Sequence, residues 1–283
     1  MSRTVREAPT APADDATVPT RLVVPLDGSD FAARAVPVAC GFAARFGAEV
    51  VAVTTPQSLD ARADETPAWL AELAAQPWDV PLRTVVALAD DPATAVANQV
   101  AEGPGAAVCM ATHARGPIGS TALGNVARDV LRRAGVPVLL VGRHCEVDGH
   151  RQGPMVVAHD GSAAADAVVA PARVWAAACG VPLVLVHVYH PLDAETPTNP
   201  AGAVLAARDH LGRDTRLEVV PGSFPAGVIR DLAHELDASA IAVGTHGHTG
   251  SAEVAMGRVA SWVARESACP VLAVRSTTLD AAH

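Results

Sequence analysis

Short apolar runs punctuate this chain, separated by longer stretches with helical character. "RLVVPLD" (Arg21 to Asp27) and "PMVVAHD" (Pro154 to Asp160) predict short buried strands. An alanine-rich run predicts a helix after each, over Ala32 to Phe46 and Ala163 to Cys179. Second strands are predicted at "AEVVAVTT" (Ala48 to Thr55) and "VPLVLVHVY" (Val181 to Tyr189). A variable segment follows, with helices near Pro67 to Ala75 and Ala201 to Leu211. Third strands fall at "LRTVVAL" (Leu82 to Leu88) and "TRLEVVP" (Thr215 to Pro221), then helices over Pro92 to Glu102 and Pro225 to Leu236. Fourth strands fall at "AAVCMA" (Ala106 to Ala111) and "SAIAVG" (Ser239 to Gly244). A loop, a helix and "PVLLV" or "PVLAV" close each series.

The pattern is written twice. Asp27-Gly28-Ser29 returns as Asp160-Gly161-Ser162, 133 positions later. Pro92 and Pro225, Thr112-His113 and Thr245-His246, Gly124 and Gly257, and the closing runs from Pro137 and Pro270 keep that offset. A shared offset across distant landmarks marks an internal repeat. It slips to 130 only at Glu65-Thr66-Pro67 and Glu195-Thr196-Pro197, so that region reads as a surface loop. "GRHCEVDGHRQGP" (Gly142 to Pro154) is polar, holds three glycines and suits a linker. The expected organisation is a tail over 1–19, domains over 20–145 and 152–277, a linker over 146–151 and a second tail over 278–283.

Strands alternating with helices imply right-handed crossovers and a parallel sheet. Continuous apolar strands imply helices on both faces. Each half is therefore expected to be a doubly wound α/β unit. In such sheets ligands bind beyond the carboxyl ends of strands, where strand order reverses. Asp27 and Asp160 follow the first strands, and a loop follows each fourth strand. If first and fourth strands are neighbours, both features face one crevice.

Composition narrows the function. Half of the residues are apolar and only 3% aromatic, so Ala, Val and Leu build the cores. The net charge of -9 argues against nucleic acid and anionic lipid as partners. No 18-residue apolar run exists and the N-terminus lacks the apolar middle of a secretory signal, so a cytoplasmic location is expected. Cys40, Cys109, Cys145, Cys179 and Cys269 lie at no metal-ligand spacing. They read as buried reduced thiols, with a redox role for Cys145 as the alternative.

The loop "GTHGHTGSAEVAMGR" (Gly244 to Arg258) opens into a helix. Its apolar residues Val259, Ala260, Val263 and Ala264 have helical spacing. The helix N-terminus offers unpaired N–H groups to an anion, and glycines let a ligand approach the backbone. Spacing alone leaves both a phosphate loop and a plain tight turn open. A P-loop is excluded because no Gly-Lys-Ser/Thr follows the spacer, and no dinucleotide fingerprint follows the first strands. His113 and His246 have no nucleophile at fixed spacing and read as structural. His246 with His248 lacks further metal ligands. His159 has no counterpart in the repeat, because Leu26 occupies that place, and reads as incidental.

The strand ending in Asp-Gly-Ser, the "GTHG" loop, Gly257 after nine intervening residues and the closing "CPVLAV" resemble the universal stress protein family. The resemblance covers both halves and implies strand order 3-2-1-4-5 in each, an adenine-nucleotide α-hydrolase-like fold. It implies that the closing strands pair the halves about a pseudo-twofold. It also implies ATP binding, with magnesium as a possible companion, in members carrying Gly-x2-Gly-x9-Gly-Ser/Thr. Carried over to the second half, the nucleotide site comprises Ala158, Asp160, Val188, Gly244, His246, Gly247, Gly257, Arg258 and Val259. Asp160 would bond the ribose or stabilise its loop, and Val188, just after the second strand, would offer backbone to adenine. Gly244 and Gly247 would line ribose and phosphates, and Gly257 would open the phosphate helix. In the first half the positions are Pro25, Asp27, Thr55, Ala111, Ala114, Gly124 and Asn125.

Both halves depart from the pattern. Arg258 stands at the Ser/Thr position, where it would either pair with phosphate or fill the pocket. Ala111 and Ala114 replace two glycines, a cheap change at negative φ and a costly one at positive φ. Asn125 is expected to act as a helix cap. The expected protein is a homodimeric stress-response protein that binds adenine nucleotide, more in the second half, and acts through conformation or partners. The alternatives are an interaction module with plugged pockets, or a weak ATPase. An adenylyltransferase would need His-x-Gly-His or Ser-Gly-Gly-x-Asp-Ser, and neither occurs.

Overall fold

The structure is a computed structural model that describes residues 16–56, 66–112, 123–147, 151–190, 215–245 and 256–275, with isolated positions between 202 and 209. The first half runs β1 (Arg21–Pro25), α1 (Asp30–Ala33), α2 (Ala35–Phe46), β2 (Glu49–Thr54), α3 (Ala68–Ala75), β3 (Leu82–Val86), α4 (Pro92–Ala101), β4 (Ala106–Ala111), α5 (Asn125–Arg133) and β5 (Val138–Val141). The second runs β6 (Gly153–Ala158), α6 (Ala163–Cys179), β7 (Leu183–Tyr189), β8 (Arg216–Pro221), α7 (Pro225–Glu235), β9 (Ala238–Gly244), α8 (Arg258–Glu266) and β10 (Val271–Val274).

All ten strands form one sheet, in the order β3-β2-β1-β4-β5-β10-β9-β6-β7-β8. Each half therefore has the expected order 3-2-1-4-5. Pairing is parallel within each half, as in Arg21 with Glu49 and Arg21 with Ala106. It is antiparallel only between the halves, where β10 meets β5 through Val271–Leu140, Leu272–Leu139 and Ala273–Val138. The closing strands do join the halves, as the resemblance implied.

Strand alternation continues the core across this junction. Leu139 and Leu272 face one side with α2 and α6, while Leu140 and Val271 face the other with α5 and α8. All four are fully buried. With few aromatics in the chain, three of them gather where α2 of one half meets α6 of the other. The Trp175 ring lies 5.6 Å from that of Phe42 and 5.0 Å from that of Phe46.

The helix expected over Ala32 to Phe46 is broken. α1 ends at Ala33, and α2 restarts at Ala35. Pro37 has no N–H to give the Ala33 carbonyl, and its ring crowds that oxygen, so a continuous helix is disfavoured there. In the second half α6 runs unbroken over 17 residues.

The described residues on either side of the connection read as a linker are tied to both halves. Arg143 pairs with Glu266 at 2.7 Å, and Arg151 with Glu146 at 2.7 Å and Asp237 at 2.6 Å. Arg34 donates to the carbonyl of Cys145, and Arg45 to that of Arg151. At Gly153 a side chain would meet the Asp237 carbonyl, so the chain passes there only as glycine. Cys145 is buried, and burial pushes its thiol up to about 12. It is a protonated packing group, which removes the basis for a redox role.

Two predictions follow from this packing. Trp175→Ala should cost about 3–5 kcal/mol in urea denaturation, because it empties the contact between halves; a cost below about 1 kcal/mol contradicts it. Gly28, at φ 78°, should lose more than about 1 kcal/mol on replacement by Ala. Gly257, at φ −61° with only the Thr245 carbonyl oxygen in ordinary contact with its Cβ position at 3.6 Å, should lose less. Equal losses at the two sites overturn the distinction.

Candidate functional site

β1 lies beside β4, and β6 beside β9, so in each half the Asp-Gly-Ser turn and the end of the fourth strand lie at the same edge of the sheet. The turns share a construction. Asp27 Oδ1 accepts the N–H of Ser29 at 2.9 Å, and Asp160 Oδ1 accepts that of Ser162 at 3.0 Å. Gly28 and Gly161 sit at φ 78° and 84°, which a side chain would strain. Ser29 and Ser162 then cap α1 and α6 through their hydroxyl oxygens. The carboxylates thus shape the turns, whatever else they bind.

The far wall also repeats. The N–H of Gly124 donates to the Thr112 carbonyl at 2.9 Å, and that of Gly257 to the Thr245 carbonyl at 2.6 Å. Each bond latches a helix N-terminus to the end of the fourth strand. Gly124 and Gly257 are the N-caps of α5 and α8, and among the described residues no side chain caps either helix. First-turn N–H groups at such a helix start are able to take water or a ligand. Asn125 therefore does not cap: it is the first helical residue, and its Oδ1 accepts from Arg128 one turn on.

In the first half these parts enclose a cleft of about 110 Å³. Pro25, Asp27, Thr55, Ala111 and Gly124 line it together, as expected of them. Leu26, Pro92, Met110 and Val126 add an apolar wall that the motif did not reveal. Pro92 is placed by α4, whose cap Asp91 accepts from the Thr94 N–H and binds Arg133 of α5 at 2.9 Å. The Thr94 backbone bond, the Thr94 hydroxyl and Arg133 together lower the Asp91 carboxyl to about 2. Ala111 closes β4 at an ordinary negative φ, so its Cβ costs no backbone strain. Ala114 lies outside the described residues, as does His113.

The second half is built differently. Gly244 ends β9 without positive φ, so the strand does not demand glycine there. Val188 lies inside β7 rather than after it, because pairing with β8 continues through Val188–Val220 and Tyr189–Pro221. Arg258 and Val259 are exposed on the first turn of α8, so Arg258 does not bury itself in the crevice. Ala158 ends β6, and Asp160 is exposed beyond it. His246, Gly247 and His248 lie outside the described residues.

His159 is not incidental. It is buried, its Nδ1 accepts the Gly161 N–H at 3.1 Å, and its Nε2 lies 3.0 Å from Asp166 Oδ1. The His187 ring stands 2.9 Å from its carbonyl oxygen. A histidine within the apolar run of β7 was the available signal for this cluster. Among the described residues no group of three or more His, Cys, Asp or Glu side chains is arranged to hold a metal ion. No described helix is long and apolar enough to cross a membrane.

Comparisons with known proteins agree with this architecture. A universal stress protein of Mycolicibacterium smegmatis is 27% identical over 181 residues, covering 59% of this chain and 61% of the relative. One from Mycobacterium tuberculosis is 28% identical over 182 residues, covering 60% and 62%. The matches thus span about three-fifths of these relatives' length. The crystal structure of a functionally unknown protein from Pseudomonas aeruginosa superposes with a TM-score of 0.65, at 19% identity over 93% of this chain and 94% of that one. A universal stress protein from Archaeoglobus fulgidus does so with a TM-score of 0.63, at 19% identity over 90% and 96%. At such identities the likeness carries the fold alone. The family profile itself matches twice, over residues 19–142 and 153–275, and the chain belongs to the universal stress protein family.

Proposed function

We propose that this protein binds adenine nucleotide, ATP with or without magnesium, in the strand-end crevice and acts through conformation or partners rather than turnover. The setting proposed is cytoplasmic, with a second copy of the chain as partner. The observation that carries the reading is the first-half cleft bounded by Asp27, Thr55, Ala111 and Gly124. Its apolar wall suits a base, its carboxylate suits a ribose hydroxyl, and the uncapped start of α5 suits phosphate. The described residues support the first half more directly than the second, the reverse of what the glycine count implied. Exposure of Arg258 supports an open second crevice rather than a plugged one.

One observation favours a second reading, a module that works through protein contacts. Phe224 is 53% exposed, its ring stands edge-on to Trp262 at 4.9 Å, and Arg230 lies 5.1 Å over Trp262. The first half has Asp91 and Asp129 in place of the two rings. Exposed aromatic and Arg side chains of this kind are common at protein interfaces.

Equilibrium titration with a fluorescent ATP analogue separates the readings. Binding is expected, and Ala111→Leu should weaken it at least tenfold, about 1.4 kcal/mol, by filling the cleft. Circular dichroism and thermal melting should show the variant folded. An affinity unchanged by Ala111→Leu moves the site out of the first half. No binding at millimolar nucleotide overturns the proposal.

A further inference from the structure

Two cleft-lining positions change character between the halves. Leu26 and Thr54 line the first-half cleft, and the repeat replaces them with His159 and His187. Both histidines are almost wholly buried. The hydrogen-bond partners fix their tautomers. A backbone N–H can only donate, so the Gly161 N–H requires a lone pair on His159 Nδ1, and the ring proton sits on Nε2 facing Asp166. A carbonyl can only accept, so His187 carries its proton on Nδ1 and donates to the His159 oxygen. His187 Nε2 is buried with no hydrogen-bond partner.

We propose that His159 is a proton-sensitive latch on the Asp160–Ser162 turn. The neutral ring holds the turn closed through the Gly161 N–H. A second proton, added at Nδ1, removes the lone pair and sets N–H against N–H. The Gly161 bond must then break, and the turn must move. With it moves Asp160, at the mouth of the second crevice, and Ser162, whose hydroxyl caps α6 by accepting the Ala165 N–H at 3.2 Å. The first half carries no such latch, because Leu26 cannot titrate.

The groups facing the ring set its working range. Asp166 from α6 and Asp160 from the turn favour the proton. Burial, the largest influence, and His187 from β7 oppose it. Burial wins, and His159 is held below the ordinary histidine range. The unfolded chain takes the proton first as pH falls through about 6.5. Stability from this site is therefore complete above that pH and lost as the pH drops toward the folded value.

The test needs no nucleotide, so it stands apart from the binding proposal. Two-dimensional 1H–15N NMR of the full chain, from about pH 7.5 to about pH 5, follows the Gly161 amide and the His159 ring nitrogens together. The expected result is a Gly161 amide shift that tracks protonation of His159 Nδ1, with a midpoint below the ordinary histidine value. Gly28, in the equivalent turn, should not titrate. His159→Gln keeps an acceptor without a proton to gain, so its Gly161 amide should stay fixed. A Gly161 amide indifferent to pH in the natural protein overturns the latch. So does a transition that persists in His159→Gln, because another group would then drive it.

Discussion

The architecture depends on one antiparallel contact between β5 and β10. Every other pairing joins parallel neighbours within a half. Without this contact each half would present an unpaired edge and half a core, and such edges invite association. With it, the halves form one ten-stranded sheet, and both faces of the core run through the junction. The Phe42–Phe46–Trp175 cluster and the ion pairs of Arg143 and Arg151 reinforce the same seam. The burial of Leu139, Leu140, Val271 and Leu272 outweighs the charge pairs, since exposed pairs contribute little and buried aliphatics about 1.5–3 kcal/mol each.

Much of this was legible in the sequence because it rests on periodicity. Parallel strands covered on both faces must read as apolar runs, and a duplication must keep its offset. Pro25, Asp27, Thr55, Ala111 and Gly124 could be gathered from the motif because they sit at strand ends and a helix cap. What sequence reasoning missed depends on partners distant in the chain. Asn125 is not a cap because the Gly124–Thr112 bond sets where α5 begins. Arg34 and Arg45 hold the described ends of a polar, glycine-bearing connection through its carbonyls, and Arg151 does so through the Glu146 and Asp237 carboxylates, partners that no local pattern shows.

The repeat also shows how one scaffold can carry two different sites. The turn, the latch to the fourth strand and the glycine at the helix N-cap recur in both halves. The wall behind them does not. In the first half it is apolar and leaves an open cleft; in the second it holds a buried imidazole pair tied to Asp166. Replacing Leu26 by a histidine costs burial of a polar ring, which is offset only because each turn-facing atom finds a partner. Duplication thus kept the geometry and let the chemistry of the crevices diverge.

The central claim is that the crevice holds an adenine nucleotide. Native mass spectrometry of the full chain, purified without added nucleotide and then incubated with ATP, tests it most directly. The account predicts added mass corresponding to adenine nucleotide, at least one per chain, with the protein still folded. A bare chain at millimolar ATP would contradict it.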